Sequence, residues 1–378
     1  MKYFGWSRDS GDGHDGAHMD TSPLSAQPSA TPSHDPAGVD VASVTRWLGQ
    51  HLPHLRAPFT WTLMAGGHSN LTYRVTDANG VDVVLRRPPL GHVLATAHDM
   101  GREYRAIAAL GPVGIPVPKA FGLCTDLDVN GAPFYVMDCV DGVVLHTLEV
   151  CLAELPEGLR RTTGESIFDT LADLHAVDVD AVGLGEHGRK GGFAQRTLKR
   201  WYNQYTASTT MEVPNVDLAF QRLSASIPEQ LETTVAHGDY RLGNCVTGAD
   251  GTIAAILDWE ISTLGDPMAD LGYLVTTWIT MADQPGNGDV SVAPTLAPGF
   301  PGADELVARY AARSGRDVSQ LPWFVAFNAW KGACIVQGVV FRYRGGALGD
   351  TTGVDLDGFD RGVRDRSAYA MQVLDSIA

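Results

Sequence analysis

A short segment in the second half of the chain holds residues whose types and spacing could do chemistry. It contains the tripeptide His237-Gly238-Asp239, an asparagine at Asn244 and an aspartate at Asp258. Phosphoryl transfer needs a carboxylate that accepts or orients the proton of the attacking hydroxyl, and oxygen ligands that hold Mg²⁺ against the phosphates. Asp239 suits the first role. Asn244 and Asp258 suit the second because Mg²⁺ prefers hard oxygen donors.

The segment must fold so that these side chains face one another. A loop after Asp239 places Asn244 on the same side, and a predicted strand at 253–258 returns Asp258 to face them. Strand alternation would then point Glu260 to the same face, where it could tune a metal or contact substrate. Plainer roles stay open: a turn for Asp239, a cap for Asn244, a strand-end carboxylate for Asp258 and a surface carboxylate for Glu260.

The first part of the chain is predicted to form a small α+β lobe. Alternating apolar residues and the Asn79-Gly80 hairpin signal predict three strands, a helix and two more strands. In chain order the ranges are 60–65, 71–76, 81–86, 97–110 for the helix, 118–124 and 133–139. Between the first two strands, a turn could offer free N–H groups to a phosphate; it comprises Gly66, Gly67, His68, Ser69 and Asn70. It matches neither the Walker pattern nor G-x-G-x-x-G, so neither type of site is predicted.

The rest of the chain is predicted to be a mainly helical lobe with a small β insert. The boundaries follow from the change in apolar spacing: a tail at 1–38, an N-terminal lobe at 39–140 and a C-terminal lobe at 141–378. The tail is rich in small and polar residues and too poor in apolar ones to order itself. The helices are predicted at 41–56, 158–177, 193–206, 216–227, 270–281, 303–313, 323–343 and 361–377.

Charge and cysteine content exclude several classes of protein. The net charge of -16 argues against nucleic-acid binding. Residues 145–378 hold 30 acidic and 18 basic residues, which suits a cationic partner or simply a solvated acidic surface. The five cysteines form no C-x-x-C pair, so we expect a reducing cytoplasm rather than disulfides or zinc. No run of about 18 apolar residues predicts a membrane span, and nothing predicts an oligomeric state.

On these motifs the chain resembles the aminoglycoside phosphotransferase family, whose fold is like that of protein kinases. Residues 257–278 and 331–342 are typical of a branch related to the phosphotransferase-like domains fused to some acyl-CoA dehydrogenases. The resemblance covers about residues 41–375. It implies an α+β, two-lobed fold: a five-stranded antiparallel sheet with one main helix, then a mainly helical lobe.

The resemblance also implies roles for single residues near the catalytic motif. Asp239 would be the catalytic base, with Asn244 and Asp258 as metal ligands. Structural support is implied for His237, Asp266 and Asp270, of which Asp270 would hydrogen-bond the catalytic loop.

A nucleotide site between the lobes follows from the same resemblance. The family expects a basic residue on the third strand and a helix glutamate as its partner, and Arg86 and Glu103 stand at those positions. Arginine binds phosphate through a planar fork, unlike the lysine usual in kinases. The fifth strand resembles the kinase hinge, with Met137 behind the adenine pocket and the backbone of Asp138 and Val140 bonded to adenine.

The predicted reaction is transfer of the γ-phosphoryl group of ATP, with Mg²⁺, to a hydroxyl of a small molecule. Family naming and the acidic second lobe favour an aminoglycoside acceptor. Loop carboxylates could line its site or merely form an exposed loop: Asp350, Asp355, Asp357 and Asp360. A second hypothesis is a hydroxy acid or hydroxyacyl-CoA acceptor, in a pocket or plain core of Trp278, Trp323, Phe327 and Trp330. A third is a nucleotide-binding pseudokinase, which Arg86 keeps open.

Overall fold

The computed structural model of the chain describes residues 36–64, 70–90, 99–279, 293–346 and 354–377. Nearly all of the predicted tail lies outside these ranges. So do several residues assigned above to sites: Gly66, Gly67, His68, Ser69 and Asp350. The described part confirms the predicted α+β class, with an N-terminal antiparallel sheet and a mainly helical C-terminal part.

One five-stranded antiparallel sheet forms the N-terminal lobe, in the spatial order β1-β2-β3-β5-β4. The strands are β1 (Thr60–Leu63), β2 (Leu71–Thr76), β3 (Asp82–Arg87), β4 (Ala120–Cys124) and β5 (Phe134–Asp138). Alternation orients them: Tyr73 and Val75 of β2 are buried, whereas Arg74 between them is exposed. The turn before β3 uses Gly80 in a left-handed conformation, with φ 83°. The sheet thus holds β3 and β5 side by side.

Helices cover both faces of this sheet. They are α1 (Val41–His51), α2 (Met100–Leu110) and the one-turn α3 (Leu127–Asn130), which was not predicted. Aspartates cap the first two, since the Asp40 side chain accepts from Ser43 N and the Asp99 side chain from Arg102 N. Buried residues of α1 pack with β2, whereas those of α2 join the larger core that continues into the second lobe.

The second lobe is built around one long apolar helix. Its helices are α4 (Leu148–Glu154), α5 (Glu157–His175), α6 (Phe193–Ser208), α7 (Pro214–Ala225), α8 (Pro267–Ile279), α9 (Ala303–Ser314), α10 (Leu321–Arg344) and α11 (Leu356–Ser376). Helix α10 contacts α6, α7, α8 and α11. This helix is long and apolar enough to cross a membrane. However, 67% of its most apolar 18-residue stretch is buried in the fold, and the core helix of a globular protein can be equally long and apolar.

The aromatic side chains considered as a pocket are core residues instead. None is more than 6% exposed: Trp278, Trp323, Phe327 and Trp330. Two of the indole N–H groups are hydrogen-bonded inside the fold, since Trp278 Nε1 donates to Pro301 O and Trp330 Nε1 to Val216 O. Of the two roles left open for them, the structure supports the plain core.

Four short strands form the β insert: β6 (Thr234–Ala236), β7 (Cys245–Thr247), β8 (Ile253–Ile256) and β9 (Thr263–Gly265). Strands β7 and β8 make the predicted hairpin, and β6 pairs with β9. The strand predicted at 253–258 is too long, because the chain leaves β8 after Ile256. Strand β9 and helix α4 were not predicted. The two pairs place the ends of β6 and β8 next to each other.

Candidate active site

The catalytic loop follows β6, and its conformation depends on a glycine. Gly238 has φ 86°, in the left-handed region, and a Cβ on it would lie 3.1 Å from Ile261 Cδ1. The next residue is Asp239. Asn244 Nδ2 donates to Asp239 Oδ2 at 2.7 Å and to the Asp239 carbonyl at 2.9 Å. Because its nitrogen is used in this way, the Asn244 side chain has its Oδ1 atom left for a cation.

A ladder of hydrogen bonds ties the catalytic loop to the segment after β8. Leu257 N donates to Asn244 O at 2.8 Å, and His237 Nε2 donates to Leu257 O at 2.8 Å. Asp239 N donates to His237 Nδ1 at 3.2 Å. Asp258 comes next and has φ 63°, the one positive φ among non-glycine residues in the described ranges. Such strain occurs where surrounding contacts hold a functional group in place.

Arg86 on β3 contacts carboxylates from both lobes. Its Nε lies 3.2 Å from Glu103 Oε2, which is the predicted ion pair with α2. Its Nη2 donates to Asp258 Oδ1 at 2.6 Å and lies 3.8 Å from Glu260 Oε2. Burial alone would lower the pKa of Arg86, but Tyr135, Glu103 and Asp258 raise it. The guanidinium is therefore a fixed positive charge beside the predicted metal ligand.

Glu103 is the most buried member of this group, with 1% of its side chain exposed. It accepts from Asn70 Nδ2 at 3.1 Å and from Tyr135 Oη at 3.0 Å. Burial raises the pKa of Glu103 to about 7, with Asp258 adding to the rise and Arg86 opposing it. Because Arg86 also contacts two other carboxylates, it only partly offsets the effect of burial on Glu103.

Two predicted site residues have contacts other than those expected. Asn70 was assigned to the phosphate turn, yet it is 2% exposed and donates to Glu103 and, at 3.3 Å, to Glu260 Oε2. Its side chain contacts carboxylates, and phosphate binding by the backbone of the turn stays a prediction. The alternation argument for Glu260 was wrong, because residues 257–262 form no strand. Glu260 reaches the site through the turn and faces Arg86.

The residues predicted to support the site contact backbone. Asp270 accepts from His237 N at 2.6 Å and from Gly238 N at 2.8 Å. Burial would raise the pKa of Asp270, but His175 and these bonds hold it below its usual range. Asp266 accepts from Met268 N at the start of α8, and burial raises the pKa of Asp266 to about 6. A structural role stays the prediction for both.

The predicted hinge residues lie at the end of β5. Met137 is 8% exposed and belongs to the main core. Asp138 N donates to Lys119 O at 2.9 Å, so a nucleotide could use the carbonyl but not the N–H of Asp138. Val140 follows, half-buried, just beyond the strand. Their roles toward adenine stay predictions.

Three residues near Asp239 were missed at the sequence level. Arg241 Nε lies 3.5 Å from Asp239 Oδ1, and the same carboxylate is near enough to Tyr273 on α8 to add to the rise in the pKa of Tyr273 that burial causes. Lys331 on α10 donates from Nζ to Gly238 O at 3.2 Å. Arg241 was detectable as a cation two residues after the base. Lys331 was detectable as the one charged residue among the first 21 of α10.

The oxygen donors at this site fit a magnesium ion held jointly with a nucleotide. Asn244 and Asp258 bring one amide and one carboxylate oxygen. No cluster of three His, Cys, Asp or Glu side chains suited to a metal exists among the described residues. Mg²⁺ takes few protein ligands and completes its octahedron with phosphates and water. A two-ligand site is therefore what a nucleotide-bound Mg²⁺ requires.

The fold and the site together define a kinase-like phosphotransferase. It has a five-stranded lobe, a helical lobe, and a catalytic loop that lies next to the β7–β8 hairpin. Residues 60–320 match the model of the phosphotransferase enzyme family, and the chain belongs to that family. This confirms the predicted enzyme class, a phosphotransferase that acts on hydroxyl groups.

Comparison with known proteins shows which solved structures share this fold and which relatives share this sequence. A crystal structure from Ralstonia eutropha, assigned as an aminoglycoside phosphotransferase, is 31% identical, with TM-score 0.75 over 88% of this chain and 98% of that one. Amicoumacin kinase hAmiN, solved with AMP-PNP and Ca²⁺, is 15% identical, with TM-score 0.56 over 90% and 95%, and shows the fold alone. Rat acyl-CoA dehydrogenase family member 11 is 33% identical over 80% of this chain. The match spans 40% of that relative's length.

Proposed function

We propose that this chain transfers the γ-phosphoryl group of ATP to a hydroxyl group of a small anionic molecule. The observation that carries the proposal is the convergence of Asp239, Asn244 and Asp258 beside the Arg86–Glu103 ion pair. These residues come from both lobes and are held by hydrogen bonds that fix each carboxylate. Such positioning and charge neutralisation supply most of the catalysis in phosphoryl transfer.

The residues divide the work of the reaction between them. Asp239 accepts the proton of the acceptor hydroxyl, whose oxygen forms a bond to the γ-phosphorus as the bond to the bridging oxygen breaks. ADP leaves with that electron pair. Asn244 and Asp258 would hold Mg²⁺, which supplies positive charge to the phosphates. Arg86, fixed by Glu103, adds a further positive charge on the nucleotide side.

Cationic side chains around Asp239 favour an anionic acceptor. Arg241 and Lys331 lie beside the carboxylate and its loop. The side chain of Arg366 passes over the glycine that follows Lys331. Burial lowers the pKa of Lys331, and Arg200 is near enough to add to that shift. Like-charge repulsion would disfavour a polycationic sugar here, whereas a carboxylate would be attracted.

Many further carboxylates of the second lobe have structural partners. Asp355 caps α11 by accepting from Gly358 N, and Asp360 pairs with Arg344 at 2.6 Å. Other carboxylates of this lobe bind arginines between α5 and α9, including Asp169 and Asp173. These acids are used in caps and ion pairs, so the overall charge is a poor guide to the acceptor.

The anionic acceptor classes with most support are hydroxy acids and hydroxyacyl thioesters of coenzyme A. The matched relative is named as an acyl-CoA dehydrogenase family member, which favours them. An aminoglycoside stays the second candidate because of the assignment given to the Ralstonia structure. The pseudokinase hypothesis is weakened by the formed Arg86–Glu103 pair.

The test is ADP release by the purified chain with Mg²⁺ and ATP. Acceptors are short hydroxy acids, their coenzyme A thioesters and kanamycin. We expect turnover with an anionic acceptor, a fall of about 10²- to 10⁴-fold in Asp239→Asn, and no change in the exposed-site control Asp357→Asn. Arg366→Gln should raise the KM of the acceptor and leave that of ATP unchanged. Turnover with kanamycin alone would refute the acceptor assignment, and full activity of Asp239→Asn would refute the base.

A further inference from the structure

Lys331 is a buried charge in the middle of an apolar helix. It is 8% exposed, and its neighbours Trp330 and Ala333 are fully buried. Burial lowers the pKa of Lys331, while Asp239 and Asp270 oppose the shift. Burying an ammonium group is costly unless it is paired and hydrogen-bonded. The contacts of Lys331 therefore show which interactions compensate for its burial.

The ammonium group binds the backbone that immediately precedes the base. Lys331 Nζ donates to Gly238 O at 3.2 Å, while Gly238 N donates to Asp270 Oδ1 at 2.8 Å. Helices α8 and α10 thus hold both polar groups of one residue, from opposite sides. Because Gly238 is a flexible residue with a left-handed φ, these two bonds fix the position from which the chain enters Asp239.

Tyr273 connects the same ammonium group to the carboxylate itself. Lys331 Nζ lies 5.1 Å from the centre of the Tyr273 ring, in cation–π geometry. Burial, followed by the nearby Asp239 carboxylate, raises the pKa of Tyr273 far above its usual range. The hydroxyl therefore stays protonated near that carboxylate. Tyr273 lies one turn after Asp270 on α8, so both reach the loop from one helix face.

We propose that Lys331 is a positioning residue for Asp239, acting through the Gly238 carbonyl and the Tyr273 ring. Its charge holds the backbone before the base, and it also holds the Tyr273 ring, which lies near the carboxylate. The proposal rests on the proposed role of Asp239. A misplacement of a catalytic group by about 1 Å can cost on the order of 10²-fold in rate, so removal of this support should act on turnover.

The experiment compares Lys331→Met with Gln337→Met. Gln337 is a fully buried polar residue on the same helix, and it donates to Ser208 O far from the loop. The assay follows ADP release with whichever acceptor gives Asp239-dependent turnover, or with water as acceptor if none does. Melting temperature and ATP Kd are measured on each variant.

We expect Lys331→Met to lower kcat by about 10- to 100-fold, with ATP Kd within about twofold of the original and an unchanged or higher melting temperature. A purely structural role predicts the reverse, a lower melting temperature with kcat preserved. Gln337→Met should show that second pattern. Unchanged kcat in Lys331→Met overturns the proposal, as does an equal loss of kcat in Gln337→Met.

Tyr273→Phe provides an independent check that removes one hydroxyl and preserves packing. We expect about a 10-fold loss of kcat, and little further loss when it is combined with Lys331→Met, because both act on one carboxylate. Full activity in Tyr273→Phe, or strictly additive losses, contradicts the proposal even if Lys331→Met fails to fold. Asp239→Asn distinguishes failure of the proposed function from failure of this inference. If Asp239→Asn retains turnover, the proposed function fails as well. If Asp239→Asn is inactive while Lys331→Met is fully active, only this inference is refuted.

Discussion

Replacing Arg86 with methionine should destabilise the fold strongly and in a pH-dependent manner. The change removes the guanidinium between the lobes and keeps an unbranched side chain of similar length. Glu103, at 1% exposure, is then left as a buried carboxylate without its cation. Asp258 and Glu260 keep more contact with water, at 34% and 23% exposure, so they add little to the penalty.

The magnitude follows from the burial of Glu103. Breaking a buried ion pair by removing one partner costs about 3–5 kcal/mol of unfolding free energy. The pKa of Glu103 is already raised from 4.5 to about 7 in the folded chain. The folded state therefore binds a proton that the unfolded state has released, and stability falls as the pH rises through that window. Without Arg86 the window extends above pH 7, so the loss should be larger at pH 8 than at pH 6.

Urea unfolding followed by tryptophan fluorescence at pH 6 and pH 8 measures this loss. Arg74→Met is the matched control, because Arg74 is half exposed on the neighbouring strand and its carboxylate partner Asp82 lies 3.8 Å away. That surface pair should be worth less than about 1 kcal/mol. The double variant Arg86→Met/Glu103→Gln should recover at least about half of the lost stability, since no buried charge is left unpaired.

Three outcomes would each refute the reasoning. Arg86→Met could lose no more stability than Arg74→Met. Its loss could be the same at both pH values. The double variant could lose the sum of the two single losses, which would mean that Arg86 and Glu103 do not act as a pair.

Three further predictions concern the geometry of the site. Arg102→Ala should weaken ATP binding in a nucleotide titration, because Arg102 bonds the Ser262 carbonyl and so ties α2 to the second lobe; unchanged affinity would show that this tie is dispensable. Gly238→Ala should lower both kcat and melting temperature, since its Cβ would meet Ile261 in a strained backbone; a fully active variant would contradict this. Asp258→Asn, which tolerates the same backbone, should raise the Mg²⁺ concentration needed for half-maximal turnover at least about tenfold, and an unchanged Mg²⁺ requirement would remove Asp258 from the metal site.

The sequence contained enough local information to predict the N-terminal sheet and the β7–β8 hairpin. The strands were visible because apolar alternation and the Asn79-Gly80 turn are local signals. The strand at 253–258 was predicted two residues too long, because apolar character continues through Leu257 while the backbone turns. That turn gives Asp258 its left-handed conformation, which is set by contacts to the catalytic loop and not by its neighbours in the chain.

Long-range contacts could not be predicted in the same way. Lys331 lies 93 residues from Gly238 in the chain. Its helix has apolar residues on nearly all sides, so the apolar pattern does not predict which way the Lys331 side chain faces. Asn70 belongs to a turn-like sequence, yet two carboxylates from distant segments draw its amide inward. The short elements α3 and β9 span about one turn and three residues, too few to show a period.

The ladder through Leu257 has a consequence for engineering the acceptor range. Its carbonyl and its N–H are bound by His237 and Asn244, so the catalytic loop and the turn that carries Asp258 share one residue and cannot be exchanged separately. A chimera that takes the loop from one relative and the turn from another would combine two segments whose hydrogen-bonding positions do not match. Exchange of residues 237–258 as one block keeps the ladder intact, and specificity can then be varied in the helices around it.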